Sequence, residues 1–226
     1  NTVLEEAKDA GIPVILMDRE ANVDENLYTT WVGTDSYKEG ENAARWLEGE
    51  LKSKNNLYSD VNIVVLQGTL GSSAEMGRTA GFHSIAAKYR NWHILEEQTG
   101  DFTTAKGKEV MQQFLKKYKN IDVVVSQNDD MTFGAIEAIE EAGMKTGVKG
   151  DMIIISFDAV RDALEMVRDG KINVDVECNT EQGEYIEKVI QMHPKVKKFF
   201  NELLEKGKIP EDIARRAGIL GEGGTN

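Results

Sequence analysis

The sequence predicts an α/β fold built on doubly wound parallel sheets. Short apolar runs rich in β-branched residues alternate with segments of helical apolar spacing, at intervals of about 25 to 30 residues. Polar residues follow each run at once, and residues 121–131 (IDVVVSQNDDM) show this most clearly. Right-handed crossovers place the carboxyl ends of parallel strands on one edge of a sheet, so we expect these polar residues to lie together there.

The predicted elements follow one another in a regular order. Strands are expected at residues 12–17, 27–32, 62–66, 92–96, 121–125, 152–156 and 172–176. Helices are expected at residues 2–11, 38–51, 74–89, 104–118, 132–143 and 161–168. A further helical region, residues 180–206, is broken near His193 because proline disfavours helix in the residue before it. The tail from Pro210 is polar and ends in the glycine-rich GEGGTN.

Composition and charge limit the possible functions. The chain has 226 residues and a net charge of −12, which opposes general attraction to nucleic acid or anionic lipid. Its single cysteine, Cys178, excludes an intrachain disulfide. No run approaches the ~18 apolar residues of a membrane helix, and the sequence given does not open with a signal segment.

The residues at the predicted strand ends combine carboxylates, an amide, arginines and aromatic rings. Carboxylates and amides accept hydrogen bonds from hydroxyls, arginine donates several in a fixed fork, and aromatic faces pack on the C–H side of a sugar ring. This mixture suits a neutral polyol. The residues are Asp18, Arg19, Arg78, Asp101, Phe102, Asn128, Asp129, Phe157, Asp158 and Glu177.

Two other kinds of site are less well supported. The glycine-containing stretch QGTLGSSAEMGR precedes a helix, but it matches neither the P-loop nor the dinucleotide-binding motif. Paired carboxylates are compatible with a glycosidase, yet no strand end carries a lysine, a cysteine, a serine–histidine pair or a metal-ligand cluster. His83, His93 and His193 lie away from the strand ends. We therefore expect no catalytic residues, metal or cofactor.

Six motifs resemble, in order and spacing, the class I periplasmic sugar-binding proteins of ABC importers, of the ribose and galactose type. They are MDR, GSSAEMGRTAGF, GDFTTAKGKEVM, QNDDMTFGAI, ISFDAV and DVEC, and the resemblance extends from residue 2 to about residue 208. GDFTTAKGKEVM and QNDDM, together with Glu177, are most similar to the galactofuranose-binding members. Single motifs are weak, but six in order are specific.

The resemblance implies a set of sugar-contacting residues. They are Asp18, Arg19, Arg78, Asp101, Phe102, Asn128, Phe157, Asp158 and Glu177. Arg78 is expected to reach the ring and its substituents. Glu177 stands where ribose binders usually carry glutamine, so a hydroxyl pattern other than that of ribose is expected.

The family's fold has two lobes joined by three crossovers, with sugar in the cleft. On this sequence, residues 1–33 would be a first-lobe remnant, 34–177 a complete second lobe, 178–207 the return to the first lobe, and 208–226 a crossover and tail. In the family the first lobe begins with two βα units and a third strand. The resemblance therefore implies an N-terminally truncated chain that binds sugar weakly or not at all and can self-associate through its incomplete lobe.

The function implied is that of a solute-binding subunit in the periplasm, or anchored to the outer face of a membrane. It would close on a monosaccharide and deliver it to the membrane subunits of an ABC permease, without chemistry. An alternative is the effector-binding domain of a sugar-responsive transcriptional repressor, which shares the fold. A repressor would carry a helix-turn-helix before the first lobe; the sequence given has none, but the implied truncation would remove it too. The acidic charge also favours transport.

Overall fold

The computed structural model describes residues 2–210, 212 and 215, so most of the predicted 208–226 tail lies outside the described residues. The chain divides into two compact units. Unit 1 comprises Asn1–Thr34 and Asn179–Asn226, and unit 2 comprises Asp35–Cys178. Each unit has its own parallel sheet.

The described residues form seven strands and eight α-helices. The strands are β1 (Ile15–Met17), β2 (Thr30–Val32), β3 (Val61–Gln67), β4 (Trp92–Thr99), β5 (Val123–Ser126), β6 (Ile153–Asp158) and β7 (Val174–Glu177). The helices are α1 (Thr2–Asp9), α2 (Ser36–Ser53), α3 (Ser73–Ala86), α4 (Thr104–Lys117), α5 (Asp129–Glu141), α6 (Arg161–Arg168), α7 (Gly183–Met192) and α8 (Pro194–Glu205).

Unit 2 is a five-stranded, all-parallel sheet covered by helices on both faces. Val64 and Leu66 of β3 pack on one face with α4 and α5, whereas Ile63 and Val65 pack on the other with α2 and α3. Burial of both faces is why these strands are continuously apolar in sequence. In the strand order β4-β3-β5-β6-β7, the chain adds β4 on one side of β3 and then adds β5, β6 and β7 on the other side. Such a switch point, at the carboxyl ends of the strands, is where open α/β sheets bind ligands.

Glycines allow the helices of unit 2 to pack in close pairs. A Cβ added at Gly40 of α2 would overlap the backbone of Arg78 on α3, and one at Gly81 would overlap the carbonyl of Tyr37. Gly134 of α5 approaches the carbonyl of Thr104 on α4 in the same way. The distance between the paired helices is therefore fixed by backbone contact.

Unit 1 is smaller and less densely packed in its described part. Its strands β1 and β2 form a two-stranded parallel sheet with Ile15 opposite Thr30. Helices α1 and α7 contain no buried residue, and Val196 is the buried apolar residue of α8. Gln182, which is also buried, accepts a hydrogen bond of 2.9 Å from the backbone N–H of Asp18.

The predicted α/β alternation is confirmed, and the differences concern where elements begin and end. The strand predicted at residues 27–32 is shorter, because Asp24 accepts a hydrogen bond from the N–H of Asn26 and starts a 3₁₀ turn over Glu25–Leu27. The strand predicted at residues 12–17 begins only at Ile15. Helix α5 begins at Asp129, three residues earlier than predicted, because the Asn128 side chain caps it. None of the described helices is both long and apolar enough to span a membrane.

Candidate functional site

Arg78 is the buried cation at the carboxyl end of the unit 2 sheet. Only 3% of its surface is exposed. Its Nε donates to Glu39 Oε2 at 2.8 Å, and its Nη2 donates to Asp158 Oδ1 at 2.9 Å. Its Nη1 donates to the carbonyl oxygen of Gln127, and the ring of Phe157 lies 5.0 Å from the guanidinium carbon. The guanidinium is thus fixed from several directions.

Glu39 reaches Arg78 because of its position on α2. The buried stripe of this helix runs through Leu51, Leu47 and Ala43, and Glu39 is one further step of four residues along it. Glu39 is 6% exposed, although glutamate is rarely buried without a partner. Reasoning from the strand ends missed this residue. The continuation of the apolar stripe to a charged position was the signal that could have found it.

The charges in this site oppose the cost of burial. Burial alone would lower the pKa of Arg78, but the carboxylates of Glu39 and Asp158 outweigh it and raise that pKa. Burial raises the pKa of Asp158 to about 6, an effect that the attraction of Arg78 only partly offsets. Asp158 is therefore mainly ionised at neutral pH and becomes protonated in mild acid.

Asn128 and Phe102 are linked beside this ion pair. The Asn128 side-chain oxygen accepts from the N–H of Met131 at 3.0 Å, and its Nδ2 donates to the Phe102 carbonyl at 3.4 Å. Asp101 and Phe102 both have positive φ, 52° and 58°. This turn places the Phe102 ring over Gly68, where a Cβ would overlap it. The ring is half-buried, so part of it faces solvent.

A strained turn follows Asp158 at the end of β6. Asp158 and Ala159 have φ of 110° and 60°, values that L-residues rarely adopt. Two carboxylates hold the turn: Asp175 accepts from the N–H of Ala159 at 3.1 Å, and Asp129 accepts from that of Val160 at 2.8 Å. Sequence reasoning did not assign this role to either aspartate.

The glycine-containing loop after β3 uses its amides within the protein. The Gly68 N–H donates to the side-chain oxygen of Gln127 at 2.9 Å, and the Gly71 N–H donates to Glu75 at 3.1 Å. Ser72 caps α3 by accepting from the N–H of Glu75. A phosphate cradle would need such backbone amides to be free for the ligand.

Seven of the predicted site residues lie at the carboxyl end of the unit 2 sheet. They are Arg78, Asp101, Phe102, Asn128, Phe157, Asp158 and Glu177. Arg78 contacts Asp158 and Phe157 directly, Asn128 contacts Phe102, and Asp158 pairs in register with the exposed Glu177. Arg78 lies on the second turn of α3.

The remaining predicted residues need separate comment. Asp18 and Arg19 follow β1 in unit 1, where both are exposed and Asp18 has a φ of 67°. The expected contact of the Phe157 ring with sugar is corrected: the side chain is 0% exposed and packs in the core beneath Arg78. It supports the guanidinium from below because its position on β6 points it between the sheet and α3.

The site offers hydrogen-bonding groups in fixed positions. Three of the five N–H donors of Arg78 are used by Glu39, Gln127 and Asp158. Across the described residues, no three histidine, cysteine, aspartate or glutamate side chains are grouped to hold a metal ion. The arrangement is suited to binding a hydroxyl-rich ligand.

The chain belongs to the periplasmic binding protein domain family, whose pattern it matches over residues 1–194. A galactofuranose-binding protein of Escherichia coli is 45% identical to it over 179 residues, which cover 77% of this chain and 54% of that protein. The chain thus spans about half the length of the curated relatives it matches.

Solved structures of similar proteins support the same family assignment. A Mycobacterium smegmatis protein in complex with β-D-fucofuranose superposes with a TM-score of 0.77 and 44% identity, over 84% of this chain and 61% of that one. The binding component of an arabinose ABC transporter from Shewanella, bound to α- and β-L-arabinofuranose, gives 0.76 and 40%, with the same coverage. The predicted family and fold are thereby confirmed.

Proposed function

We propose that this chain is part of a solute-binding protein that binds a furanose sugar through the carboxyl end of the unit 2 sheet. The observation that carries the proposal is the fixed Arg78–Asp158 pair, joined at 2.9 Å beside the half-buried ring of Phe102. A guanidinium and a carboxylate held in place can donate to and accept from neighbouring hydroxyls without reorganising. Phe102 supplies an apolar surface for the C–H side of the ring.

The relatives support a furanose ring in particular. Three similar proteins are described as binding galactofuranose, fucofuranose or arabinofuranose. Glu177 adds an exposed carboxylate next to Asp158 on the adjacent strand. This carboxylate accepts only, whereas the glutamine expected in ribose binders both donates and accepts. Glu177 therefore selects a sugar that donates a hydroxyl at this position.

The remainder of the role follows from the family. Asp18 and Arg19 are proposed to add sugar contacts from unit 1, and residues 34–177 are proposed to act as the complete second lobe. The partners are the monosaccharide and the membrane subunits of an ABC permease, outside the cytoplasmic membrane. Binding and release involve no covalent step, so the protein is not an enzyme.

The proposal is tested by an NMR titration of ¹⁵N-labelled protein with D-galactose, L-arabinose, D-ribose and glycerol. NMR detects millimolar affinity, which corresponds to only about −4 kcal/mol. We expect at least one furanose-forming sugar to shift the amide resonances of Phe102, Asn128, Ala159 and Glu177. Resonances of residues 145–151, which precede β6 at the other end of the sheet, should stay unchanged.

Glycerol is the matched control, because it carries hydroxyls but no ring. Shifts of equal size with glycerol and with the sugars would overturn the proposal. The absence of any shift at the four site residues in about 10 mM sugar would also overturn it, because even weak binding, with a millimolar dissociation constant, would shift these resonances.

A further inference from the structure

The turn at residues 158–160 is held by two acidic side chains that face each other. Asp129 on α5 is 1% exposed, and Asp175 lies on β7. The Asp175 carboxyl is within hydrogen-bonding reach of Asp129. Its Oδ2 is buried and has no donor among the described residues. Two carboxylate oxygens that face each other in a buried site repel unless a proton lies between them.

The hydrogen bonds of each carboxyl indicate which one carries the proton. Asp129 accepts from the Ser156 hydroxyl at 2.6 Å and from the Val160 N–H at 2.8 Å, so both of its oxygens are acceptors. Asp175 accepts from the Ala159 N–H through Oδ1 alone. Asp129 therefore accepts more hydrogen bonds from the protein and is the better-stabilised carboxylate. Asp175 Oδ2 is the atom that can carry a proton and donate it to Asp129.

The surrounding charges favour one bound proton. Arg78 on α3 is the cation that interacts with Asp129, and it is already paired with Glu39 on α2 and Asp158 on β6. Four ionised carboxylates would therefore share one guanidinium in a largely buried site. Burial raises the pKa of Asp175, and the charge of Asp129 raises it further, to about 8. Burial also raises the pKa of Asp129.

We propose that Asp129 and Asp175 share one proton at neutral pH, and that this acid–carboxylate pair positions the strained 158–160 turn so that Asp158 meets Arg78. Both aspartates are positioning residues: they bind consecutive amides of the turn, those of Ala159 and Val160. Loss of the proton leaves two facing carboxylates and loosens the turn. The consequence for sugar affinity rests on the proposed function, whereas the proton itself does not.

The direct test is the pH titration of the Asp175 side-chain carboxyl carbon, by NMR of protein labelled with ¹³C at aspartate. The expected midpoint is near pH 8, whereas exposed aspartates titrate near pH 4. A midpoint near 4 for Asp175 would overturn the proposal. This measurement uses the unaltered protein and no sugar, so its outcome is independent of the sugar-binding proposal.

Substitutions give a second, asymmetric test. Asp175→Asn places an amide N–H where the shared proton lies and keeps an oxygen for Ala159, so the turn should be preserved. Asp129→Asn removes one of two acceptors, so its melting temperature should fall well below that of Asp175→Asn at pH 7. Equal melting temperatures for the two variants would contradict the assignment. Asp130→Asn, at the exposed next position of the same helix turn, is the matched control.

The pH dependence of unfolding has a defined direction. The folded protein holds a proton that the unfolded chain releases near pH 4, so this pair's contribution to stability decreases as pH rises from about 4 and levels off above about 8. Asp175→Asn removes that dependence. The melting temperature of Asp175→Asn minus that of the unaltered protein should therefore increase from pH 5 to pH 8. The same difference for Asp130→Asn should stay constant. Parallel curves for all three proteins would exclude a shared proton.

Discussion

Glu39 Oε2 accepts a hydrogen bond of 2.8 Å from Arg78 Nε, and both side chains are buried. This contact joins α2 to α3 directly beneath the carboxyl edge of the sheet. It also orients the guanidinium so that its Nη2 donates to Asp158 Oδ1 at 2.9 Å. The position of the candidate sugar-binding arginine therefore depends on a residue that itself has no expected contact with sugar.

Removal of Glu39 should destabilise the protein strongly. Glu39→Ala leaves a buried guanidinium with Asp158 as its remaining carboxylate, and removing one partner of a buried pair costs about 3 to 5 kcal/mol. Glu39→Gln retains an acceptor and should cost roughly 1.5 to 3 kcal/mol. Chemical denaturation measures both. Asn42→Ala, at an exposed position of the same helix, should change the free energy of unfolding by no more than about 0.5 kcal/mol. Similar losses for Glu39→Ala and Asn42→Ala would refute this role.

The close approach of α2 and α3 should be sensitive to a single methyl group. Gly40→Ala would place a Cβ into the backbone of Arg78, so we expect a loss of about 1 to 3 kcal/mol from overpacking. Gly49 lies on the same helix with no atom within 4 Å of an added Cβ. Gly49→Ala should therefore stabilise the protein by up to about 1 kcal/mol through helix propensity. Thermal unfolding of both variants measures the difference, and stabilisation by Gly40→Ala would be incompatible with the observed packing.

Asn128 combines a structural and a proposed binding role that can be separated. Asn128→Ala should lower the free energy of unfolding by about 1 kcal/mol through loss of the α5 cap, whereas Asn128→Ser keeps a good cap. Both variants lose the amide Nδ2, so both should weaken sugar binding to a similar extent. Denaturation and sugar titration of the two proteins provide the comparison. Full sugar affinity in Asn128→Ser would show that the amide does not contact the ligand.

Sugar affinity should decrease on acidification. The pKa of Asp158 is about 6, and only the ionised carboxylate both pairs with Arg78 and accepts from a hydroxyl. One pH unit below this pKa, at pH 5, about a tenth of Asp158 is ionised, so affinity should be roughly tenfold lower than at pH 7. Titrations at pH 5, 6 and 7 measure this change. In Asp158→Asn the affinity should be lower at all three pH values and nearly independent of pH. If the affinity of this variant instead fell about tenfold from pH 7 to pH 5, as in the unaltered protein, Asp158 would be ruled out as the titrating group.

The sequence was sufficient to predict the parallel sheet and the sheet edge at which most of the candidate residues lie. Polar residues after each apolar run, such as Asn128 after β5, identify the carboxyl edge because strand direction fixes which ends meet. Side-chain direction was harder to predict. Phe157 and Asp158 are adjacent at the end of β6, yet one side chain enters the core and the other meets Arg78. Adjacent residues of a strand point to opposite faces of the sheet. Which of the two side chains becomes buried depends on the helices packed against each face.

Residues that act through others were not predictable from the strand ends. Glu39 lies near the start of the chain's first long helix, and Asp175 lies within β7, two residues before the expected ligand Glu177. Their roles depend on contacts across 39 residues, from Glu39 to Arg78, and across 16 residues, from Asp175 to Ala159. Only the packed structure brings these pairs together. For Glu39, the signal in sequence was a charged residue at a position that the periodicity marks as buried.

The most direct test of the proposed site is the dissociation constant of Arg78→Lys for the sugar that gives the largest NMR shifts, measured at pH 7. Lysine keeps the positive charge but cannot bridge Glu39, Gln127 and Asp158 at once. We predict affinity at least tenfold weaker, with far-ultraviolet circular dichroism unchanged and the exposed Arg90→Lys as the matched control with unaltered affinity. A dissociation constant for Arg78→Lys within a factor of two of the unaltered protein would contradict the proposed binding of sugar by the Arg78–Asp158 pair.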